Sequence, residues 1–236
     1  MSETKDTPSL DSVSIIIATF GEDKWEDLAY SRALPSAKQQ KAADEIVMVH
    51  EKGGTAATCK NTAIEKARGP WIVICDADDE LEPGYVAAMK CSAGDLRYPK
   101  VRIIKPRHPV GTPYPEPIVI DQCSAHLRDR DLLRGNFMVI GTMFRKEDFL
   151  KVGGFQEFET WEDWFFFMQL TYIGAVPCLA PGAVYRVFQH EQSRVTVSDP
   201  SRVFLEMKDS FRKWAVNYNG GETNNIAYRK FIEGRP

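Results

Sequence analysis

The chain has 236 residues, enough for one α/β domain with a substantial core and marginal for two. Hydrophobic residues make up 43% and charged residues 27%, with a formal net charge of -3, which excludes a dedicated polyanion binder carrying a basic surplus. The five cysteines, Cys59, Cys75, Cys91, Cys123 and Cys178, form no CxxC pair and no Cys/His cluster, which argues against structural zinc.

Residues 1–11 read as a polar leader without an apolar signal core. Val13 to Phe20 (VSIIIATF) is a short β-branched run, the pattern of a strand buried on both faces. A polar stretch with helical character follows from Asp23 to Gln40, with Pro35 expected to break or kink it. Glu45 to His50 reads as a second buried strand, Gly53-Gly54 as a loop, and Ala56 to Lys66 as a helix. Gly69-Pro70 stops that helix. Trp71 to Cys75 (WIVIC) is a third buried strand, and a helix follows through Met89. Strands separated by helices predict a βαβαβ unit with a parallel sheet, whose ligands gather at the strands' carboxyl ends. That rule places Thr19-Phe20, His50-Glu51 and Asp76 to Asp79 on one rim.

From Asp95 to Gln122 the chain alternates polar and apolar residues among six prolines and reads as edge strands and loops. A short helix over Asp129 to Arg134, a strand within Gly135 to Arg145, a helix over Glu147 to Val152 and a strongly apolar helix from Trp161 to Tyr172 come next. A strand over Val176 to Arg186 and a helix over Phe204 to Trp214 complete the pattern. No apolar run approaches a membrane span, so the expectation is a soluble cytoplasmic protein.

Asp76-Ala77-Asp78-Asp79 directly follows an apolar strand. Carboxylates there need water, donors or a cation, because burying them unpaired is costly. Hard divalent ions take such oxygens and share them with substrate phosphates, so manganese or magnesium is the expected cofactor. The competing reading is a turn and helix cap, where Asp is also favoured. Asp129-x-Asp131 offers the same spacing, but its arginine neighbours mark it as solvated surface charge. Glu162-Asp163 opens an aromatic helix. Thr160-x-x-Asp163 fits a capping box, and a carboxylate at a pocket edge also suits a general base. Trp161 and Trp164 offer a stacking face for an acceptor, or core packing. The basic stretch Arg97 to Arg107 reads as a solvated strand edge, with an anionic acceptor as the alternative.

The ordered set VSIIIATF, EIVMVHEKGG and ATCKNTAIEKARGPWIVICDADDELEPGYV resembles the N-terminal half of glycosyltransferase family 2, inverting enzymes of the GT-A fold. GTMFRKEDFLKVGGFQEFETWEDWFFFMQLTYIG is similar to the family's acceptor half, and the match spans Val13 to Ser193. The resemblance implies a Rossmann-like, mostly parallel α/β sheet flanked by helices. It implies a domain over 12–200, with a donor half 12–95 and an acceptor half 96–200, then a C-terminal helix and tail over 201–236.

The family's roles carry over by position. Asp76 would contact ribose or metal, with Ala77 beside it, and Asp78 would be the principal metal ligand. Asp163 would be the base, with Glu162, Trp161 and Trp164 toward the acceptor. Thr19 and Phe20 would lie beside the nucleotide base. Lys60-Asn61 stands where the family has Arg-Asn, at base or phosphate. Arg186 and His190 resemble a late Arg/His/Ser element, His190 reaching metal or diphosphate. The chain departs from the family's Asp-Asp-Gly-Ser at His50-Glu51-Lys52-Gly53. Glu51 can still accept from a uracil N–H, so UDP is the first expectation, with GDP or TDP open. The acceptor stays open among glycan, lipid, protein and nucleic acid. A nucleotidyltransferase and an inert sugar-nucleotide-binding module are the alternatives.

Overall fold

The computed structural model describes residues 9–105, 118–122, 132–133, 135–189 and 200–234. Its first sheet is built on β1 (Val13–Phe20), whose residues from Val13 to Ile17 are fully buried. β1 pairs in parallel with β2 (Glu45–Glu51) on one side and β3 (Trp71–Ile74) on the other. A two-residue β7 (Phe144–Arg145) closes the far edge antiparallel to β3, giving the order β2-β1-β3-β7. This is the parallel unit the hydrophobic runs predict, with one difference. β2 is an edge strand, and most of its residues are half-buried rather than covered on both faces.

Helices α1 (Asp23–Ser31) and α2 (Ala33–Lys38) replace the single expected helix. The break falls at Arg32, not Pro35. Pro35 sits in the first turn of α2, where its missing N–H would have had no helical acceptor. α3 (Ala56–Lys66) starts with a capping box in which Thr55 and Thr58 exchange side-chain and backbone hydrogen bonds.

A second sheet has the order β4-β8-β5-β6, made of β4 (Glu80–Leu81), β5 (Leu96–Lys105), β6 (Ile118–Gln122) and β8 (Pro177–Phe188). This corrects part of the expectation of edge strands in the proline-rich middle, where β6 does lie at an edge. β5 is interior, parallel to β8 and antiparallel to β6. Its Pro99 falls where the β5–β8 register shifts, so the missing N–H is accommodated at an irregularity. Paired backbone bonds between Arg97 and Met143 join the two sheets. The expected strand over residues 137–144 shrinks to Phe144–Arg145. The segment before it is irregular and packs Phe137, Met138 and Ile140 into the core.

α4 (Tyr85–Lys90) lies between the sheets' strands in sequence, and α5 (Lys146–Val152) ends at Gly153 with φ 86°, a left-handed stop that glycine adopts freely. α6 (Glu162–Tyr172) is buried along nearly its whole surface, as its all-round apolar sequence requires. Phe166 packs on Phe155 at 4.3 Å and on Phe144 at 4.9 Å between ring centroids. α7 (Pro200–Asn219) and α8 (Ile226–Ile232) cover α6 through Phe211, Trp214 and Tyr228 against Tyr172. Of the expected basic stretch, Arg97 stacks on Trp71 and Arg102 pairs with Glu82, so these two arginines are engaged by the fold. No helix among the described residues is long and apolar enough to cross a membrane.

Candidate functional site

The carboxyl ends of β1, β3 and β8 and the start of α6 converge on a cleft of about 810 Å³. Its wall includes Thr19, Phe20, Lys60, Asp76, Ala77, Asp78, Trp161, Glu162, Asp163 and Trp164. The parallel strands of the first sheet explain why: their last residues emerge on one side, where the backbone turns away and side chains face an open rim.

Asp76 and Asp79 are fixed by β8. The Asp76 N–H donates to the Tyr185 hydroxyl at 3.0 Å, and Phe188 N–H donates to Asp79 Oδ1 at 3.0 Å. Burial pushes the Asp79 carboxyl well above the ordinary range, and the charges of Asp78 and Asp76 add to it. Asp79 is therefore taken by the fold, while Asp76 and Asp78 keep partly exposed side chains. The Asp78 carbonyl accepts from Arg32 Nη1 at 2.7 Å, so the break between α1 and α2 holds the turn in place.

Lys60 on α3 is buried. Its ammonium lies 2.9 Å from Glu162 Oε1 and 3.5 Å from Asp76 Oδ1, linking the end of β3 to the start of α6. Asp163 follows Glu162. Its Oδ1 accepts from the Trp164 N–H at 2.7 Å, and its Oδ2 lies 3.4 Å from the Asn136 amide nitrogen. The expected Thr160 capping box does not form, because Trp161 takes a left-handed conformation with φ 66° and caps the helix without a side-chain bond. Burial, then the Glu162 charge, pushes the Asp163 carboxyl up to about 6, against the pull of Lys60 and the Trp164 N–H. A carboxyl poised there is half of an acid–base device near neutral pH.

The indole N–H of Trp164 donates to the Leu132 carbonyl at 2.7 Å, and Phe204 of α7 stacks on its ring, so Trp164 is both cleft wall and core. Trp161 is partly exposed, edge-on to Trp164. Thr19 Oγ1 sits 2.9 Å from His50 Nδ1, and the Thr19 carbonyl accepts from the Cys59 thiol at 3.0 Å. Burial holds the Cys59 thiol up at about 11, and Cys75, next to Asp76, is raised by burial as well.

Two expected donor residues lie outside the cleft lining. Glu51 ends β2 with its carboxylate over Gly54, where a Cβ would come within 2.7 Å of Oε2. Asn61 spends its amide on Phe155, donating to that carbonyl at 3.0 Å and accepting from that N–H at 2.9 Å. Arg186 pairs with Glu80 at the β4–β8 ladder. His190 and Asp129-x-Asp131 lie outside the described residues.

The sequence reading missed Trp25, Asn136 and Phe188, which all line the cleft. Trp25 carried a usable signal, an aromatic residue five positions beyond a strand that ends on the ligand rim. Asn136 carried none.

Among the described residues no group of three or more His, Cys, Asp or Glu side chains could hold a metal ion. Asp76 and Asp78 still fit manganese or magnesium as a partial set. Magnesium commonly takes one or two carboxylates and completes its shell with water and substrate phosphates.

Known proteins resemble the chain in sequence and in fold. The family described as Glycosyl transferase family 2 matches residues 30–98. EpsH of Bacillus subtilis (strain 168), which is named as a glycosyltransferase, is 32% identical over 88 residues. That match covers 37% of this chain and 24% of EpsH, so the chain spans about a quarter of this relative. S. aureus TarS 1-349, in a crystal structure in complex with UDP-GlcNAc, superposes with a TM-score of 0.65 at 14% identity, covering 94% of this chain and 70% of that one. A longer TarS structure gives 0.61 at 13% identity, with 94% and 42% covered. The fold is accordingly of the GT-A type, and residues 30–98 are similar in sequence to glycosyltransferase family 2.

Proposed function

We propose an inverting transfer of a glycosyl group from a nucleotide-diphosphate donor, a UDP-sugar first, to an acceptor hydroxyl, in keeping with the similarity of residues 30–98 to glycosyltransferase family 2. One observation carries the reading: a single cleft brings Asp76 and Asp78 together with Glu162 and Asp163, with the Lys60 ammonium between the two pairs. The preference for UDP draws on TarS, whose structure holds UDP-GlcNAc, and on the shared fold.

Each group has a job set by its surroundings. Asp163 Oδ1 is held by the helix backbone, which leaves Oδ2 to take the proton of an acceptor hydroxyl as its oxygen attacks the anomeric carbon. Attack from the face opposite the diphosphate inverts that carbon. Lys60 holds the Glu162 side chain in place, so the acceptor side of the cleft is already ordered before substrate enters. Trp161 offers a partly exposed ring for the acceptor. Thr19 and Phe20 line the end where the nucleotide would sit, with Trp25 as a further aromatic wall. Asp78 and Asp76 are the residues that would hold manganese or magnesium, whose Lewis acidity supplies neutralisation of charge on the leaving diphosphate.

Thermal-shift screening of UDP-, GDP- and TDP-sugars with and without manganese tests the donor side. The reading expects a metal-dependent shift with a UDP-sugar and slow hydrolysis of that donor in the absence of acceptor. A shift without any turnover on prolonged incubation would favour the inert binding module. A response to nucleoside triphosphates alone would favour nucleotidyl transfer.

A further inference from the structure

α6 starts in the catalytic cleft at Glu162 and ends, about 15 Å away by helical rise, at a second cavity. This cavity has a volume of about 740 Å³ and lies between the α6–β8 connection and the turn joining α7 to α8. Its size falls in the range of small-molecule sites.

The chemistry of its wall is selective. Tyr218 is 41% exposed and stacks on Trp214 with ring centroids 5.0 Å apart and planes 22° apart, so its ring is held rigidly. The Tyr172 ring meets it edge-on at 6.4 Å. The Tyr172 hydroxyl is committed to Asn219 at 2.7 Å and to the Glu222 carbonyl at 2.9 Å, which fixes the turn. The side chains of Tyr218, Glu222 and Asn224 make no hydrogen bond or ion pair among the described residues, and all three line the cavity. Among the described residues no Lys, Arg or His lines it, and Glu222 is the one acid that does.

Elimination follows from those groups. Without a cation the wall does not suit a phosphate or carboxylate ligand. With one carboxylate it does not suit a hard metal. A rigid aromatic face beside a phenol, an amide and a carboxylate suits a neutral ligand with apolar C–H faces and many hydroxyls. We propose that this second cavity binds a neutral saccharide, separately from the donor site. The proposal stands on this wall alone and not on the assignment of the catalytic cleft.

The test is a titration of the ¹⁵N-labelled full chain with chitobiose and with cellobiose, glucose 6-phosphate serving as anionic control. At least one disaccharide is expected to move the backbone amides of Gly174, Asn219 and Asn224 with a dissociation constant in the millimolar range. Saturating UDP should leave those shifts in place. Tyr218→Ala and, as a milder surface change, Asn224→Ala should each weaken binding about tenfold, with each variant's fold checked by its own amide spectrum. The proposal is overturned if neither disaccharide moves these amides at about 50 mM, or if the shifts fall on the catalytic cleft and vanish with UDP. It is equally overturned if glucose 6-phosphate binds better, or if both folded variants bind as the parent does. Failure of donor turnover with intact saccharide binding would count against the transferase reading alone.

Discussion

Lys60 and Glu162 form an ion pair of 2.9 Å with each side chain only 4% exposed, and they come from positions 102 residues apart. Two charges are taken out of water together, and the pair is tolerable only because each answers the other. Asp76, 3.5 Å from the same ammonium, extends the pair toward the end of β3.

Lys60→Met should therefore cost about 3–5 kcal/mol of folding stability, because Glu162 is left buried without its partner. Lys60→Met combined with Glu162→Gln should recover most of that loss. Urea denaturation of the two single variants and the double variant measures the coupling. Additive losses would mean that the pair does not hold the two segments together.

Asp163→Asn separates catalysis from stability. Transfer should fall by about 10²–10⁴ while UDP affinity stays near that of the parent, as expected for loss of a general base. With the carboxyl raised to about 6 from an ordinary 3.8, the folded chain holds this proton more tightly than the unfolded chain. The stability it contributes is full below pH about 4 and is lost as pH rises through about 6. At pH 8 the Asn variant should thus be more stable than the parent, by on the order of 1 kcal/mol after solvent screening. In the parent, kcat/KM should rise with pH through about 6 as the base ionises. A flat profile across that range, or equal loss of binding and turnover in the variant, would remove Asp163 from this role.

Asp78→Ala should abolish the part of UDP binding that depends on manganese and leave the metal-free remainder. Calorimetry with and without the ion reads both. Identical affinities in parent and variant would show that Asp78 holds no cation.

Gly141→Ala connects packing to the site. An added Cβ would come within 2.6 Å of Tyr185 Cε2 and 2.7 Å of the Tyr85 hydroxyl, inside the core, where neither ring can swing away. Overpacking of this kind costs about 1–3 kcal/mol. Because the Tyr185 hydroxyl accepts the Asp76 N–H, donor affinity should fall along with the thermal midpoint. A drop in the midpoint with unchanged donor affinity would mean that Tyr185 does not position Asp76.

The sequence carried the first sheet well. Val13 to Ile17 and Trp71 to Ile74 are buried on both faces, and continuous β-branched runs announce that state. The rim position of Asp76 and Asp78 follows from strand polarity alone. The second sheet was hidden because β5 and β8 pair in parallel across some eighty intervening positions, and Pro99 in β5, followed by five more prolines in sequence, mimics a loop. Burial of Lys60 was hidden for a different reason. Lysine normally seeks water, and here the distant Glu162 together with Asp76 changes that. Trp161 gave no warning of its left-handed backbone, since positive φ is rare for an aromatic residue.

The two thiols under the cleft set its redox character. Cys59 donates to the Thr19 carbonyl and Cys75 lies next to Asp76, both buried and both held firmly as thiols. Thiolate is the form that oxidants and alkylating reagents attack, so these two thiols resist them. Among the described cysteines Cys91 is the exposed one, at the end of α4 and outside the cleft lining. Among the described cysteines a maleimide dye should enter there first, leaving the cleft lining untouched and giving a ready optical handle.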